Sequence, residues 1–192
     1  MKWNFATAGT GLVALAILSV VVGYLWTGGA TLSGTVFDPA QPAPEIVLTD
    51  DQGDSYNLSE QVGKIVLIYF GYTYCPDECP LTLAKLKDVF DLLNEDGTHI
   101  QVILITTDPE RDTPEALQSY LEKFNESFVG LTGNHADLSK VYSDFGVVVE
   151  DGGETHTNRI YGVDKHGNLR ITWPYEMTAS DIAGDLQILL KE

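Results

Sequence analysis

The sequence predicts an α/β fold, a mixed sheet flanked by helices on both faces, with an N-terminal transmembrane helix ahead of it. Three observations carry that expectation. Residues 64–71 (KIVLIYFG) and 100–106 (IQVILIT) are β-branched and aromatic without polar alternation, as in strands covered on both faces. Between them, residues 81–93 (LTLAKLKDVFDLL) repeat apolar side chains at helical spacing. No charged residue occurs from Trp3 to Phe37.

The first segment reads as a membrane signal. Residues 11–26 (GLVALAILSVVVGYLW) are apolar apart from Ser19, and residues 5–27 reach the ~20 that a helix needs to cross a bilayer. Tyr24 and Trp26 suit the headgroup layer at the far end. Lys2 and the amino terminus are the positive charges on the near side, and the next is Lys64. Positive charge stays cytoplasmic, so the expected protein is single-pass in the cell membrane, amino terminus inside and domain outside. A cleaved signal peptide is the rival, and the small residues Thr27-Gly28-Gly29-Ala30 keep it open. Both deliver the domain to the same side. No cysteine follows the run, which excludes a lipid-anchored lipoprotein.

Residues 28–44, rich in Gly, Thr and Pro, read as a linker, and the domain is expected over 45–192. Residues 45–49 (EIVLT) form a short strand closed by the turn Asp50-Asp51-Gln52-Gly53. After the strand at 64–71, the helix at 81–93 and the strand at 100–106, Asp112-Thr113-Pro114-Glu115 opens a second helix. Asp112 is its expected cap, Pro114 sits in its first turn and Glu115 completes a capping box. Residues 134–145 give another helix. Strands at 159–163 and 169–173 flank the turn Lys165-His166-Gly167-Asn168, and 178–190 close the chain as a helix. Strands alternating with helices, then a hairpin and a helix, argue for a mixed sheet with both faces covered.

The chain has 192 residues, 44% of them hydrophobic, and a formal net charge of −17. That suffices for one packed domain plus an appendage. So negative a field repels phosphate backbones and makes nucleic acid a poor candidate partner, while attracting cations and basic protein surfaces.

The chemistry concentrates in the two cysteines, Cys75 and Cys79, too few for a disulfide scaffold. They lie in FGYTYCPDECP, between a buried strand and an amphipathic helix, where open α/β sheets bind ligands. A helix amino terminus favours thiolate, the form that attacks disulfides and binds metal. Three residues separate the cysteines, so i and i+4 on one helical face bring both sulfurs to one spot. Two soft thiolates suit Cu(I), and zinc less selectively. A structural zinc site wants four protein ligands, and no closely spaced histidine pair completes one. Of His99, His135, His156 and His166, three fall in turns or a helix start; His156 closes the acidic loop EDGGET just before a strand.

These residues resemble the SCO/SenC family of copper-binding, thioredoxin-like proteins. The likeness is carried by Gly63-Lys64, Phe70-Gly71-Tyr72-Thr73, Cys75-Pro76-Asp77-Glu78-Cys79-Pro80, the run TDPERDTP at 107–114, and His156-Thr157 followed by Tyr161 and Asp164. It implies a thioredoxin fold that binds one copper, Cu(I) or Cu(II), through Cys75, Cys79 and His156. It also implies delivery of copper, or of reducing equivalents through Cys75 and Cys79 acting as a thiol–disulfide reductase, to the binuclear copper site of cytochrome c oxidase subunit II or another exported copper protein. The family usually has Asp immediately before the histidine, where this chain has Thr155. Met177 is the only methionine besides the first residue, and no axial methionine is apparent, which favours holding and handing over copper above fast electron transfer. A peroxidase of the peroxiredoxin type wants Thr three residues before its cysteine, where Tyr72 stands.

Overall fold

The computed structural model describes residues 31–150 and 155–192, the side chains of Thr155 and His156 lying outside that description. The apolar run at 5–27, and with it the expected transmembrane helix or signal peptide, also lies outside it. Among the described residues no helix is long and apolar enough to cross a membrane.

Leu32–Glu192 forms one compact unit. Its strands are β1 (Thr35–Pro42), β2 (Val47–Asp50), β3 (Ser55–Asn57), β4 (Ile65–Gly71), β5 (Ile100–Thr106), β6 (Val129–Thr132), β7 (Val149–Glu150), β8 (Thr155–His156), β9 (Arg159–Val163) and β10 (Asn168–Pro174). The α-helices are α1 (Glu78–Leu93), α2 (Pro114–Leu121), α3 (His135–Asp144) and α4 (Ala179–Leu189). Eight strands make one mixed sheet in the order β1-β10-β9-β4-β5-β6-β2-β3, and β7 and β8 pair separately. The three strands β4, β5 and β6 are parallel; the flanking pairs are antiparallel.

Strand β4 is buried along its whole length. Side chains alternate across a strand, so Ile65, Leu67 and Tyr69 pack with Leu83 and Leu86 of α1, Leu117 of α2 and Ile182 and Leu186 of α4. Val66, Ile68 and Phe70 face the other layer, with Leu138 and Val141 of α3. This explains the unalternated apolar run: each face needs its own apolar half.

Two expectations are corrected. The stretch at 28–44 is not wholly a linker, since Thr35–Pro42 pairs antiparallel with β10 as an edge strand. Its prolines obscure it in sequence, but an edge strand needs only half its amides, and the register shifts between Val36 and Gln41. The segment is clasped further back as well. The buried Asp185 carboxylate accepts from the amides of Ser33 (2.7 Å) and Gly34 (3.0 Å) and from Trp173 Nε1 (2.7 Å). The second correction concerns the cap of α2. Thr113 accepts from the Ala116 amide at 3.3 Å, with Pro114 in the first turn. Asp112 is buried and turned inward instead.

Candidate metal centre

Both cysteines lie where β4 ends and α1 begins. The Cys75 amide reaches back to the Tyr72 carbonyl at 3.4 Å, turning the chain toward the helix. Asp77 holds the cap position of α1 but makes no side-chain cap bond. The sulfur of Cys75 takes that part: the Cys79 amide donates to it at 3.3 Å. A helix start leaves such amides without carbonyl partners, so a sulfur there is met by donors and by the positive end of the dipole.

The two thiols are unequal. Both are free; Cys75 is half-buried and Cys79 fully buried. Burial works to raise the Cys75 thiol, but the amides of Asp77, Cys79 and Glu78 and the Cys79 side chain together pull it below its ordinary value. At Cys79 burial prevails and pushes the thiol up to about 12. The expectation that a helix start favours thiolate therefore holds for the first cysteine and fails for the second, whose sulfur faces the core. Gly71 makes that burial feasible. A Cβ there would lie 3.0 Å from Cys79 Sγ, 3.0 Å from Tyr69 Cε1 and 3.3 Å from Leu104 Cδ1.

The third candidate approaches through the backbone. Strand β9 runs antiparallel to β4, with Ile160 opposite Tyr69, so the start of β9 lies at the cysteine end of the sheet. Just before it, β8 pairs His156 with Val149. The Thr157 amide donates to the Val148 carbonyl, and the Val148 amide to Thr157 Oγ1, both at 3.1 Å. Asn158 Nδ2 then donates to Glu78 Oε2 at 2.7 Å. Residues 156 and 158 are two Cα steps apart, ~7 Å at most. The backbone of His156 thus sits beside the first turn of α1, on the same end of the sheet as the thiols. Among the described residues no group of three or more His, Cys, Asp or Glu side chains stands ready to hold a metal.

The other histidines stand as read from sequence. His99 ends a 3₁₀ turn before β5. His135 opens α3, its Nε2 3.9 Å from exposed Glu110. His166 lies in the β9–β10 turn, where its amide donates to Asp164 at 2.9 Å and Gly167 adopts a positive φ of 82°.

Residues 108–112, part of the run TDPERDTP that carries the family likeness in sequence, contact the loop ahead of Cys75 through Asp112 and Arg111. Asp108 is buried and paired with the Arg111 guanidinium, whose Cζ lies 4.9 Å from the Tyr74 ring centroid. Asp112 accepts from Thr73 Oγ1 (2.5 Å), the Thr73 amide (3.1 Å) and Thr106 Oγ1 (2.7 Å). Burial raises its pKa although these donors oppose the rise.

The SCO1/SenC family model matches residues 38–191, nearly the whole compact unit. The chain belongs to the SCO1/SenC family. It is 34% identical over 144 residues to the SCO2-like protein RP587 of Rickettsia prowazekii, covering 70% of each chain. It spans about half the length (49%) of the SCO2-like protein RC0895 of Rickettsia conorii, at 43% identity over 100 residues, 52% of this chain. Among solved structures it is similar to Bradyrhizobium japonicum ScoI with copper bound: 33% identity, TM-score 0.70, 77% of this chain and 98% of that one. BsSco, described as a member of the Sco family of cytochrome c oxidase assembly proteins, shares the fold at 21% identity and TM-score 0.68, with 81% and 98% covered. The mixed α/β architecture is thus the thioredoxin-like fold of the Sco structures.

Proposed function

We propose that this SCO1/SenC domain binds one copper ion through Cys75, Cys79 and His156 and delivers it to the binuclear copper site of cytochrome c oxidase subunit II. We place the domain outside the cytoplasm, tethered to the cell membrane by residues 1–27. The observation that carries the ligand set is the Asn158–Glu78 hydrogen bond, which holds the strand of His156 beside the helix of Cys79. The donor set fits the metal: two sulfurs, one on the loop before α1 and one in its first turn, with one imidazole are soft and borderline ligands suited to copper. Each side chain has a part. Cys75 faces outward enough to meet incoming metal, Cys79 supplies a ligand from the dry side, and His156 supplies the imidazole. Metal binding displaces a thiol proton, so the high value at Cys79 is overcome by coordination. Copper in the similar ScoI structure supports the choice of metal. The test is competition titration of the full chain in detergent with Cu(I). One copper per chain is expected, with none retained at the same chelator strength after Cys75→Ser; stoichiometric binding by that variant would count against the site.

A second reading has its own observation. A half-exposed Cys75 ahead of a buried Cys79 is the arrangement of an attacking and a resolving thiol, suited to reducing a partner's disulfide. His156→Ala separates the two: copper retention should fall while exchange with a model disulfide proceeds at the original rate.

A further inference from the structure

Asp112 has no evident reason to be charged. It is fully buried, yet it neither caps α2 nor faces solvent. It accepts from the loop residue Thr73 and from the β5 residue Thr106. Thr73 stands two residues before Cys75 and gives both its amide and its hydroxyl to this one carboxylate. Thr106 is fixed in turn, because its hydroxyl accepts from the Asp108 amide at 2.9 Å and its carbonyl accepts from Tyr142 Oη at 2.5 Å. The Asp112 amide donates to the Asp108 carbonyl at 3.0 Å, closing the 108–112 turn on itself. One residue further along the cysteine loop, the Arg111 guanidinium stacks on Tyr74. Consecutive loop residues 73 and 74 are therefore gripped by consecutive residues 112 and 111, one through part-buried hydrogen bonds to a carboxylate, the other through a cation–ring contact at the surface.

We infer that Asp112 is a positioning residue: it anchors the Cys75 end of the loop to the sheet through Thr73, so that the outer sulfur stays aimed at the inner one. A buried carboxylate suits this task better than an apolar contact. Its lone pairs accept several donors at once, in fixed directions, and charge-assisted bonds are roughly twice as strong as neutral ones. Burial also makes the Thr106 donor costly to release, since its bond to Asp112 lies wholly in the interior. The consequence is local. Cys79 is held by α1 and the core whatever Asp112 does, so loss of the carboxylate should loosen one sulfur of the pair and not the other.

This inference rests on Cys75 and Cys79 being copper ligands, and its test carries an arm that needs no metal. Amide hydrogen exchange is measured on the metal-free full chain and on Asp112→Ala, Asp112→Asn and Thr73→Val, alongside Cu(I) affinity. Asn keeps an acceptor for Thr73 and turns its amide toward Thr106 Oγ1, which has a spare lone pair. Asp112→Ala should speed exchange at residues 73–75 at least tenfold, leave residues 83–93 of α1 unchanged, and weaken Cu(I) about 10-fold or more, the usual cost of losing a group that orients a ligand. Asp112→Asn should restore most of both, and Thr73→Val should shift both in the same direction by less. Should Asp112→Ala fail to fold, Asn and Val carry the comparison. Exchange at 73–75 unchanged in Ala and Val, or Asn no better than Ala, overturns the inference. Faster exchange in a wild-type-like fold that binds no copper sinks the copper reading and leaves the anchor standing; faster exchange with Cu(I) affinity intact sinks the anchor's role at the metal.

Discussion

Asn158 donates its side-chain amide to Glu78 at 2.7 Å, joining residues 80 positions apart: one sits two residues after His156, the other immediately before Cys79. That bond links the segment after the histidine strand to the thiol helix. Asn158→Ala should leave the fold intact, within about 0.5 kcal/mol in chemical denaturation, as for most surface changes. It should weaken Cu(I) by about tenfold, because the imidazole loses its guide. Glu78→Gln keeps an acceptor and should do less. Both are read by chelator competition.

The unequal thiols give a pH prediction. Cys75 is held below its ordinary value by helix-start amides working against burial, so in the metal-free chain it should alkylate first, at mildly alkaline pH. Cys79, pushed up to about 12, should stay silent until the chain unfolds. The sign for stability follows from Cys79. Its folded value lies above the unfolded one, so folded chains hold a proton that unfolded chains release. The associated stability is complete below about pH 8.5, the ordinary thiol value, and drains away as pH rises toward 12. Denaturation midpoints across that window should fall with pH, less steeply in Cys79→Ala.

Gly71→Ala tests the close approach behind the site. The added methyl would meet Cys79 Sγ at 3.0 Å and the Tyr69 ring at 3.0 Å, both in a fully buried region. Overpacking of this kind costs about 1–3 kcal/mol. Copper affinity should drop with it, since relief comes most easily by moving the sulfur.

Asp185→Ala separates stability from chemistry. It leaves the Trp173 indole N–H and the Ser33 and Gly34 amides without their acceptor. A loss of about 3 kcal/mol is expected from stranding the buried indole donor and releasing two part-buried amides from a charged acceptor. Copper stoichiometry should be unchanged at temperatures where the variant is folded.

Much of this was readable in the chain, for physical reasons that also explain the gaps. The runs at 64–71 and 100–106 announce β4 and β5 because burial on both faces leaves no room for polar residues. Leu83, Leu86, Val89 and Leu93 announce α1 by their spacing. Strand β6 (VGLT) is too short to show a period, and its Gly130 lets Leu117 Cβ approach where a side chain would stand, a tertiary demand invisible to propensity. Strand β1 hides behind its prolines, tolerable at an edge. Cys75 and Cys79 were legible as a pair because two thiols four apart, between a buried strand and an amphipathic helix, stand out in a chain with no other cysteine. The inward turn of Asp112 was not: Asp before Thr-Pro-Glu looks like a cap, and only the distance to Thr73, 39 positions away, shows otherwise.

The most direct test of the whole account is X-ray absorption at the copper edge of the copper-loaded full chain, beside His156→Ala. Two sulfur scatterers and one imidazole nitrogen are expected in the first, and the same sulfurs without the imidazole in the second. An imidazole shell that survives His156→Ala, or a copper with no sulfur ligands, would contradict it.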